Sequence, residues 1–179
     1  VEPDAIVAAV KARFENRLLE GRRIVITAGP TIEAIDPVRY LSNHSSGKMG
    51  FALAGACAEA GAQVELISGP AHLDAPDRVT VHPLTSATEM CEQALALSAG
   101  ADVFIGAAAV ADYRPESASA EKIKKADGSP LTLTLVENPD IIASVAKSAT
   151  RPSMVVGFAA ETESLICLLY TSDAADDIR

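Results

Sequence analysis

The sequence predicts an α/β fold, in which helices cover both faces of a doubly wound, mostly parallel sheet. Short β-branched runs alternate along the chain with longer segments of helical spacing, which is the pattern of consecutive β–α–β units. The 179 residues are 49% hydrophobic but only 4% aromatic. Alanine, valine, isoleucine and leucine must therefore fill the core, as they do where helices pack closely on a sheet. The length is that of one domain with one hydrophobic core.

The first elements are a helix, a strand and a tight turn. Residues 4–19 carry apolar side chains at helical spacing, and Gly21 follows them as a stop. RRIVITAGPT (22–31) predicts a buried strand that ends in a glycine-proline turn. Open α/β sheets bind ligands at such a turn.

A β–α–β unit follows. GFALAGACAEAGA (50–62) predicts a helix that packs closely on the sheet, with Ser45 or Ser46 as its N-cap and Gly61 as its C-terminal glycine. QVELISGP (63–70) predicts the second strand. A right-handed crossover through this helix would make the two strands parallel neighbours.

The middle of the chain continues the alternation and then leaves it. VTVHPL (79–84) predicts a third strand, and Ser86 with Glu89 forms a capping box for a helix that runs to about Ser98. ADVFIGAAAVADY (101–113) predicts a long apolar strand. The turn-rich, basic residues 114–130 and the alternating LTLTLVE (131–137) indicate a β-arm, or flap, outside the main sheet.

The last described pattern is one more helix and strand. Asn138 and Pro139 predict an N-cap and a first-turn proline, and SMVVGFAA (153–160) predicts the final buried strand. The complete order is that of a Rossmann-like, doubly wound, mostly parallel sheet with a β-arm.

Charge and cysteine content exclude several classes of protein. The chain has 15 Lys and Arg against 24 Asp and Glu, a net charge of -9, which would repel a nucleic-acid backbone. The three cysteines form no CxxC pair, and the three histidines lack metal-ligand spacing. No apolar run approaches the roughly 18 residues of a membrane helix. We expect a cytoplasmic protein that binds neither nucleic acid nor a membrane.

The segment SNHSSGKMG (42–50) is a candidate anion-binding loop. It is not a P-loop, because Ser42 and Met49 stand where that pattern requires glycine and a hydroxyl residue. Free N–H groups and small side chains at a helix start can still hold phosphate or carboxylate oxygens. A solvated N-cap loop is the alternative.

Small residues lie toward the ends of three predicted strands: Gly29 in the first, Gly106 to Ala109 in the fourth and Gly157 in the last. Together, at one edge of a sheet, they predict a ligand crevice, although each one taken alone is ordinary core packing. Lys122, Lys124 and Lys125 are either a solvated face of the arm or cations that reach polyphosphate oxygens. Asp112 is either a turn residue or a ligand of a sugar hydroxyl or divalent cation.

Seven motifs occur in a fixed order over about residues 21–162: GRRIVITAGPT, IDPVRYLSNHSSGKMGFALA, LISGP, AAAVADYRP, KIKK, NPDI and GFAAET. In these motifs the chain resembles the phosphopantothenoylcysteine synthetase half of bacterial bifunctional coenzyme A biosynthesis flavoproteins. The resemblance implies a connector helix over 1–20, from an FMN-binding decarboxylase domain absent from this chain, and a synthetase domain over 21–162.

The resemblance also implies a reaction and its participants. The family uses CTP, with Mg²⁺, to ligate 4'-phosphopantothenate to L-cysteine through an acyl-cytidylate, releasing pyrophosphate and CMP. It implies a homodimer, for which LTLTLVE is a candidate dimer strand. By resemblance Asn43 hydrogen-bonds the activated acyl group, Arg39 positions phosphopantothenate, Ala109 forms a wall and Lys122 stabilises charge. The implied nucleotide-binding positions are Gly106, Ala107, Ala108, Asp112, Lys122, Pro139, Asp140, Ile141, Ile142 and Phe158; no metal ligands are assigned.

The resemblance stops after GFAAET. The family continues with a helix that carries further nucleotide-binding lysines, whereas this chain reads ESLICLLYTSDAADDIR. We therefore expect a non-family tail over 163–179. CLLYTSDAADD reads as a translated sequencing adapter, an artefact, and a divergent tail is the alternative. If the tail is an artefact, we expect weak CTP binding or no activity from this chain.

Two other function classes stay open. A short-chain nicotinamide-dependent reductase shares the sheet, but the turn after the first strand reads GPTIEA rather than G-x-G-x-x-G, and no Tyr-x-x-x-Lys pair is present. A non-catalytic nucleotide-binding or assembly module is compatible with a chain that lacks the family's later lysines.

Overall fold

The protein is described by a computed structural model over residues 5, 17–125, 128 and 130–158. In this part of the chain the strands are β1 (Arg23–Ala28), β2 (Ile32–Ala34), β3 (Tyr40–Ser42), β4 (Gln63–Ser68), β5 (Val79–Pro83), β6 (Val103–Gly106), β7 (Tyr113–Pro115), β8 (Leu135–Glu137) and β9 (Met154–Gly157). The helices are α1 (Lys48–Glu59), α2 (Ala87–Ser98) and α3 (Ile141–Ala146). Most of the predicted connector helix and all of the predicted tail lie outside the described residues.

Five of the described strands form one parallel sheet in the order β5-β4-β1-β6-β9. Helix α1 packs on one face, where Phe51, Ala54 and Ala58 meet Ile26 and Leu66. Helices α2 and α3 pack on the other face, around Val25, Ile67, Met90, Phe104 and Val145. The predicted doubly wound α/β fold is confirmed, and within the described residues no helix is long and apolar enough to cross a bilayer.

Helix α1 begins differently from the prediction. Its N-cap is Gly47, at φ 74°, and no side chain caps the helix, so Ser45 and Ser46 are wrong as N-caps. A Cβ on Gly47 would lie 3.3 Å from the backbone N and Cα of Gly29, the residue that follows β1. The left-handed turn and the close approach of the two loops both favour glycine here. The candidate anion-binding loop therefore lies directly against the carboxyl end of β1.

Helix α2 is confirmed with its capping box. The Ser86 hydroxyl accepts from the Glu89 N–H, and the Glu89 carboxylate accepts from the Ser86 N–H. The hydrogen bonds from the backbone N–H groups of Ser86 and Thr85 hold the pKa of Glu89 below its usual range.

The predicted strand 101–113 is shorter than expected, because β6 ends at Gly106. The chain then runs alongside the residues that follow β1 and is held to them by individual backbone hydrogen bonds, including one from the Ala109 N–H to the Gly29 carbonyl (2.8 Å). Pro30 and Ala109 form an isolated parallel bridge. Residues 107–112 are thus a backbone wall across the sheet edge rather than a continuation of the strand.

Two small antiparallel pairs stand outside the sheet. The hairpin of β2 and β3 lies where no strand was predicted, and β7 pairs with β8 in the predicted arm. Of LTLTLVE only Leu135–Glu137 is a strand. The predicted N-cap Asn138 and first-turn proline Pro139 are both wrong, because α3 begins at Ile141 and Asp140 caps it by accepting from the Ala143 N–H (2.9 Å).

Candidate functional site

An open crevice of about 750 Å³ lies at the carboxyl edge of the parallel sheet. Its walls come from the loops after β3, β6 and β9 and from the start of α3. Such an edge is where doubly wound sheets bind ligands. The lining residues are Asn43, Ala108, Ala109, Val110, Ala111, Asp112, Tyr113, Glu137, Asn138, Pro139, Asp140, Ile141, Ile142 and Phe158.

Thr31 fixes the backbone wall of the crevice. It is fully buried, its N–H donates to the Ala109 carbonyl (3.3 Å), and its hydroxyl accepts from the Ala111 N–H (3.0 Å). Its carbonyl accepts from the Ser42 hydroxyl (2.7 Å), at the end of β3. One residue therefore ties the wall at 109–111 to the strand that leads into Asn43.

Replacing Thr31 with valine is expected to lower the free energy of unfolding by about 1–3 kcal/mol, because the buried Ala111 N–H would lose its acceptor while side-chain shape is kept. Thr31→Ser keeps the hydroxyl and serves as the matched control. Urea unfolding followed by circular dichroism measures both. Equal midpoints for the valine and serine variants would contradict a hydrogen-bonding role.

Asn43, in the loop after β3, contacts this wall directly. Its side-chain amide Nδ2 donates to the Val110 carbonyl (2.8 Å). Residues 42–50 and 106–112, which are far apart in sequence, thus meet at one point of the crevice. The bond leaves the second N–H and the Oδ1 of Asn43 for a ligand.

Asn138 supports the crevice beside α3. Its Nδ2 donates to the Ala111 carbonyl and its N–H to the Asp112 carbonyl, both at 2.7 Å. Arg114 donates from Nη1 to the Glu137 carbonyl (2.6 Å) and to Asn138 Oδ1 (3.1 Å). Sequence reasoning treated Asn138 as a helix cap and so missed its part in joining two crevice walls.

The glycines at the strand ends are explained by packing. A Cβ on Gly106 would lie 2.9 Å from Ile142 Cγ1, and one on Gly157 would lie 2.8 Å from Ile142 Cδ1. Ile142 therefore rests directly on the ends of β6 and β9 and covers them. Ala107 bonds through its N–H to the Thr27 carbonyl (3.1 Å). Neither Gly106 nor Ala107 is among the residues that line the crevice.

Nine of the predicted site residues line the crevice: Asn43, Ala108, Ala109, Asp112, Pro139, Asp140, Ile141, Ile142 and Phe158. Arg39 instead lines a second cavity of about 420 Å³, together with Ile123, Lys124 and Lys125 of the arm. Lys122 is exposed and lines neither cavity. The structure thus brings Asn43 and Ala109 together with seven of the ten predicted nucleotide positions, but not with Arg39 or Lys122.

Asp36 and Arg39 form an ion pair beside the second cavity. The Arg39 Nε donates to Asp36 Oδ2 (3.0 Å), and Nη2 donates to the same oxygen. The Arg39 guanidinium, with the backbone N–H groups of Val38, Ile123 and Arg39, holds the pKa of Asp36 far below its usual range. The carboxylate therefore stays charged at neutral pH.

Sequence comparison assigns this architecture to a known family. The pattern of the DNA/pantothenate metabolism flavoprotein C-terminal domain matches residues 19–170. The chain is 51% identical over 166 residues to the coenzyme A biosynthesis bifunctional protein CoaBC of Vibrio parahaemolyticus, covering 92% of this chain and 42% of that protein. It is 48% identical over 168 residues to CoaBC of Escherichia coli strain K12, covering 92% and 41%. The chain thus spans about two fifths of the length of these curated relatives.

Structural comparison agrees. The crystal structure of the C-terminal domain of a coenzyme A biosynthesis bifunctional protein CoaBC superposes with a TM-score of 0.76 at 37% sequence identity, over 91% of this chain and 76% of that one. The order of the motifs, the parallel sheet and both comparisons agree. The chain belongs to the family of DNA/pantothenate metabolism flavoprotein C-terminal domains, the family that its motifs resemble.

Proposed function

We propose that this chain acts in coenzyme A biosynthesis as a CTP-dependent phosphopantothenate–cysteine ligase. The observation that carries the proposal is the position of Asn43, whose amide is held on the Val110 carbonyl in the crevice of a CoaBC-like domain. Along one wall of the crevice, at Ala108, Ala109 and Ala111, the side chains are small, so ligand atoms can approach the backbone closely there.

The reaction has two displacement steps. The carboxylate of 4'-phosphopantothenate attacks the α-phosphorus of CTP, the bond to the β-phosphate oxygen breaks, and pyrophosphate leaves. The amine of cysteine then attacks the acyl carbonyl, loses a proton and displaces CMP, which leaves the amide. Both steps pass through concentrated negative charge, so fixed donors and cations facing the reacting atoms lower the barrier.

Asn43 is the candidate donor to the acyl group. Val110 engages one N–H of its amide, and the other N–H is available for the acyl oxygen on which negative charge develops. The backbone at Ala109 lies beside it, held by Thr31 and Gly29. Asn43 and Ala109 thus form a fixed corner in which an activated acyl group is oriented before cysteine attacks.

The nucleotide occupies the other end of the crevice in this proposal. Phe158 is half exposed there and, with Pro139 and Ile142, offers apolar contact to a base. Asp112 is exposed on the lining and offers a carboxylate to ribose hydroxyls. Lys122 lies on the arm, outside the lining of the crevice, and in this proposal its exposed side chain supplies a cation to phosphates that extend from the crevice toward the arm.

Magnesium is compatible with the crevice as the partner of a triphosphate. Among the described residues no group of three His, Cys, Asp or Glu side chains could hold a metal ion alone. Glu137 also lines the crevice, however, and one carboxylate suffices for Mg²⁺ when phosphate oxygens and water complete its coordination. The ion would then neutralise phosphate charge in a chain of net charge -9.

Pyrophosphate release tests the proposal against the two other function classes. The ligase is expected to release pyrophosphate from CTP only when 4'-phosphopantothenate is present, and to form the cysteine amide when cysteine is added. A nicotinamide-dependent reductase would need neither compound, and a binding module would titrate CTP without turnover. Either of these results would overturn the proposed function for this chain.

A further inference from the structure

The side chain of Asp36 is fully buried, although it carries a charge. It lies in the turn between β2 and β3. One oxygen, Oδ1, accepts from the N–H groups of Val38 and Arg39, both at 2.8 Å, and so closes the turn. The other oxygen, Oδ2, faces away from the turn, toward Arg39 and the arm. A buried carboxylate needs such a full set of donors, and the donors on Oδ2 come from two parts of the chain.

Ile123 of the arm is held by both of its backbone polar groups. Its N–H donates to Asp36 Oδ2 (3.1 Å), and its carbonyl accepts from Arg39 Nη2 (2.7 Å). A second tie lies four residues earlier, where the Ser119 N–H donates to the Ile35 carbonyl (2.9 Å). Ile123 is half-buried, whereas Lys122 and Lys124 on either side of it are exposed. The ion pair thus anchors the lysine-bearing segment at its central residue.

The same hairpin also leads to the crevice. Strand β3 ends at Ser42, whose hydroxyl is bonded to the Thr31 carbonyl, and Asn43 follows it directly. The anchor of the arm and the loop of Asn43 are therefore opposite ends of one short antiparallel pair. A change in the anchor alters where Lys122 stands relative to Asn43.

We propose that Asp36 is a positioning residue, which, through Arg39 and the backbone of Ile123, fixes Lys122 relative to the crevice; this role in catalysis rests on the proposed function. Asp36 need not touch substrate.

The Asp36→Asn variant distinguishes the two roles of this side chain, which are to close the turn and to anchor the arm. An asparagine Oδ1 can still accept from the N–H groups of Val38 and Arg39, so the turn is kept. Its NH₂ group would stand at the position of Oδ2, facing the Ile123 N–H and the Arg39 guanidinium, which are all donors. The variant therefore loses the interactions with Ile123 and Arg39 that hold the arm, while the side chain keeps its shape.

Asp102→Asn is the matched control. Asp102 also pairs with an arginine, Arg22 (2.8 Å), and accepts from a backbone N–H, that of Arg23 (2.9 Å). It precedes β6, at the edge of the sheet opposite the crevice. A general effect of losing a paired carboxylate would appear in both variants, whereas an effect on the arm would appear only in Asp36→Asn.

The first measurement is amide hydrogen exchange at Ile123 in the full chain, by NMR. Asp36→Asn is expected to raise the exchange rate at Ile123 about tenfold or more and to leave the amides of β1 unchanged, with no change at Ile123 in Asp102→Asn. An unchanged rate at Ile123 would overturn the proposal. This readout needs no turnover, so it decides whether Asp36 holds the arm even if the chain releases no pyrophosphate and the proposed function fails.

The second measurement is a double-mutant cycle on pyrophosphate release. Asp36→Asn is expected to lower the rate about tenfold in the wild-type background but less than twofold in Lys122→Gln, because a residue that acts through Lys122 has nothing left to position. Equal losses in the two backgrounds would show that Asp36 does not act through Lys122, and would overturn the positioning role.

Discussion

Replacing Gly69 with alanine is expected to lower the free energy of unfolding by about 3 kcal/mol or more, the upper range for an overpacked interior. A Cβ on Gly69 would lie 1.7 Å from the carbonyl oxygen of Pro30 and 2.8 Å from its carbonyl carbon. Both are backbone atoms, so no side-chain rotation relieves the clash. The Gly69 N–H is itself bonded to the Ala28 carbonyl (3.0 Å), which holds the two loops together. Urea unfolding followed by circular dichroism measures the loss.

Gly55→Ala is the matched control for this prediction. A Cβ on Gly55 would meet only the Cβ of Pro76, at an ordinary contact distance of 3.6 Å. Gly55 lies within α1, where alanine is favoured over glycine by about 1 kcal/mol, so we expect this variant to be as stable as the parent or more so. A Gly69→Ala protein that unfolds at the same urea concentration as Gly55→Ala would contradict the steric argument.

The same clash would reach the crevice. Pro30 forms the bridge to Ala109, and the Thr31 N–H donates to the Ala109 carbonyl. Moving Pro30 away from a Cβ on residue 69 displaces the wall on which Asn43 is held. Stability and site geometry are therefore coupled at this glycine, which the sequence alone marks only as a turn residue.

The central sheet was predictable because its signals are local. The runs at residues 23–28, 63–68 and 79–83 are rich in β-branched residues and are separated by segments of helical length. Helix α2 carries a complete capping box, whose two hydrogen bonds join residues only three apart. Such patterns report the elements without knowledge of tertiary contacts.

The hairpin of β2 and β3 was not predictable in this way. Each strand has three residues, and contacts from distant parts of the chain hold the first one in place. The Ile32 N–H donates to the Thr85 carbonyl (2.8 Å), and the buried Glu33 carboxylate accepts from the Ala87 N–H (2.9 Å) at the start of α2. No local pattern in residues 32–42 contains these partners, so the segment reads as a polar loop.

The crevice was predictable in outline for a topological reason. Parallel strands end at one edge, so the small residues after β1, β6 and β9 must meet there. Their roles differ from the expectation, since Gly106 and Gly157 accommodate Ile142 rather than a ligand. Thr31 was missed as the tie between the walls, although its place directly after a strand and a Gly-Pro turn was a signal that could have found it.

Replacing Lys122 with glutamine is expected to lower the rate of acyl-cytidylate formation by about 10²-fold or more. Lys122 is exposed, and among the described residues it has no hydrogen-bond or ion-pair partner, so its ammonium is available to phosphate oxygens. The anchored Ile123 beside it limits where that ammonium can stand. Glutamine keeps much of the length of the side chain but removes the charge. Single-turnover formation of the intermediate, with the enzyme in excess over CTP, 4'-phosphopantothenate saturating and cysteine left out, isolates this step.

Lys147→Gln makes the same change of net charge at the exposed C-cap of α3 and is the matched control. It is expected to leave the single-turnover rate within twofold of the parent. If the loss in Lys122→Gln comes from a cation that acts in the transition state, the rate falls while CTP affinity changes much less. Equal single-turnover rates for the two glutamine variants would contradict that role, and a loss confined to CTP affinity would make Lys122 a binding residue only. A transition-state role therefore requires that Lys122→Gln lowers the single-turnover rate much more than it lowers CTP affinity. Loss of one positive charge elsewhere in a chain of net charge -9, as in Lys147→Gln, is not expected to produce this difference.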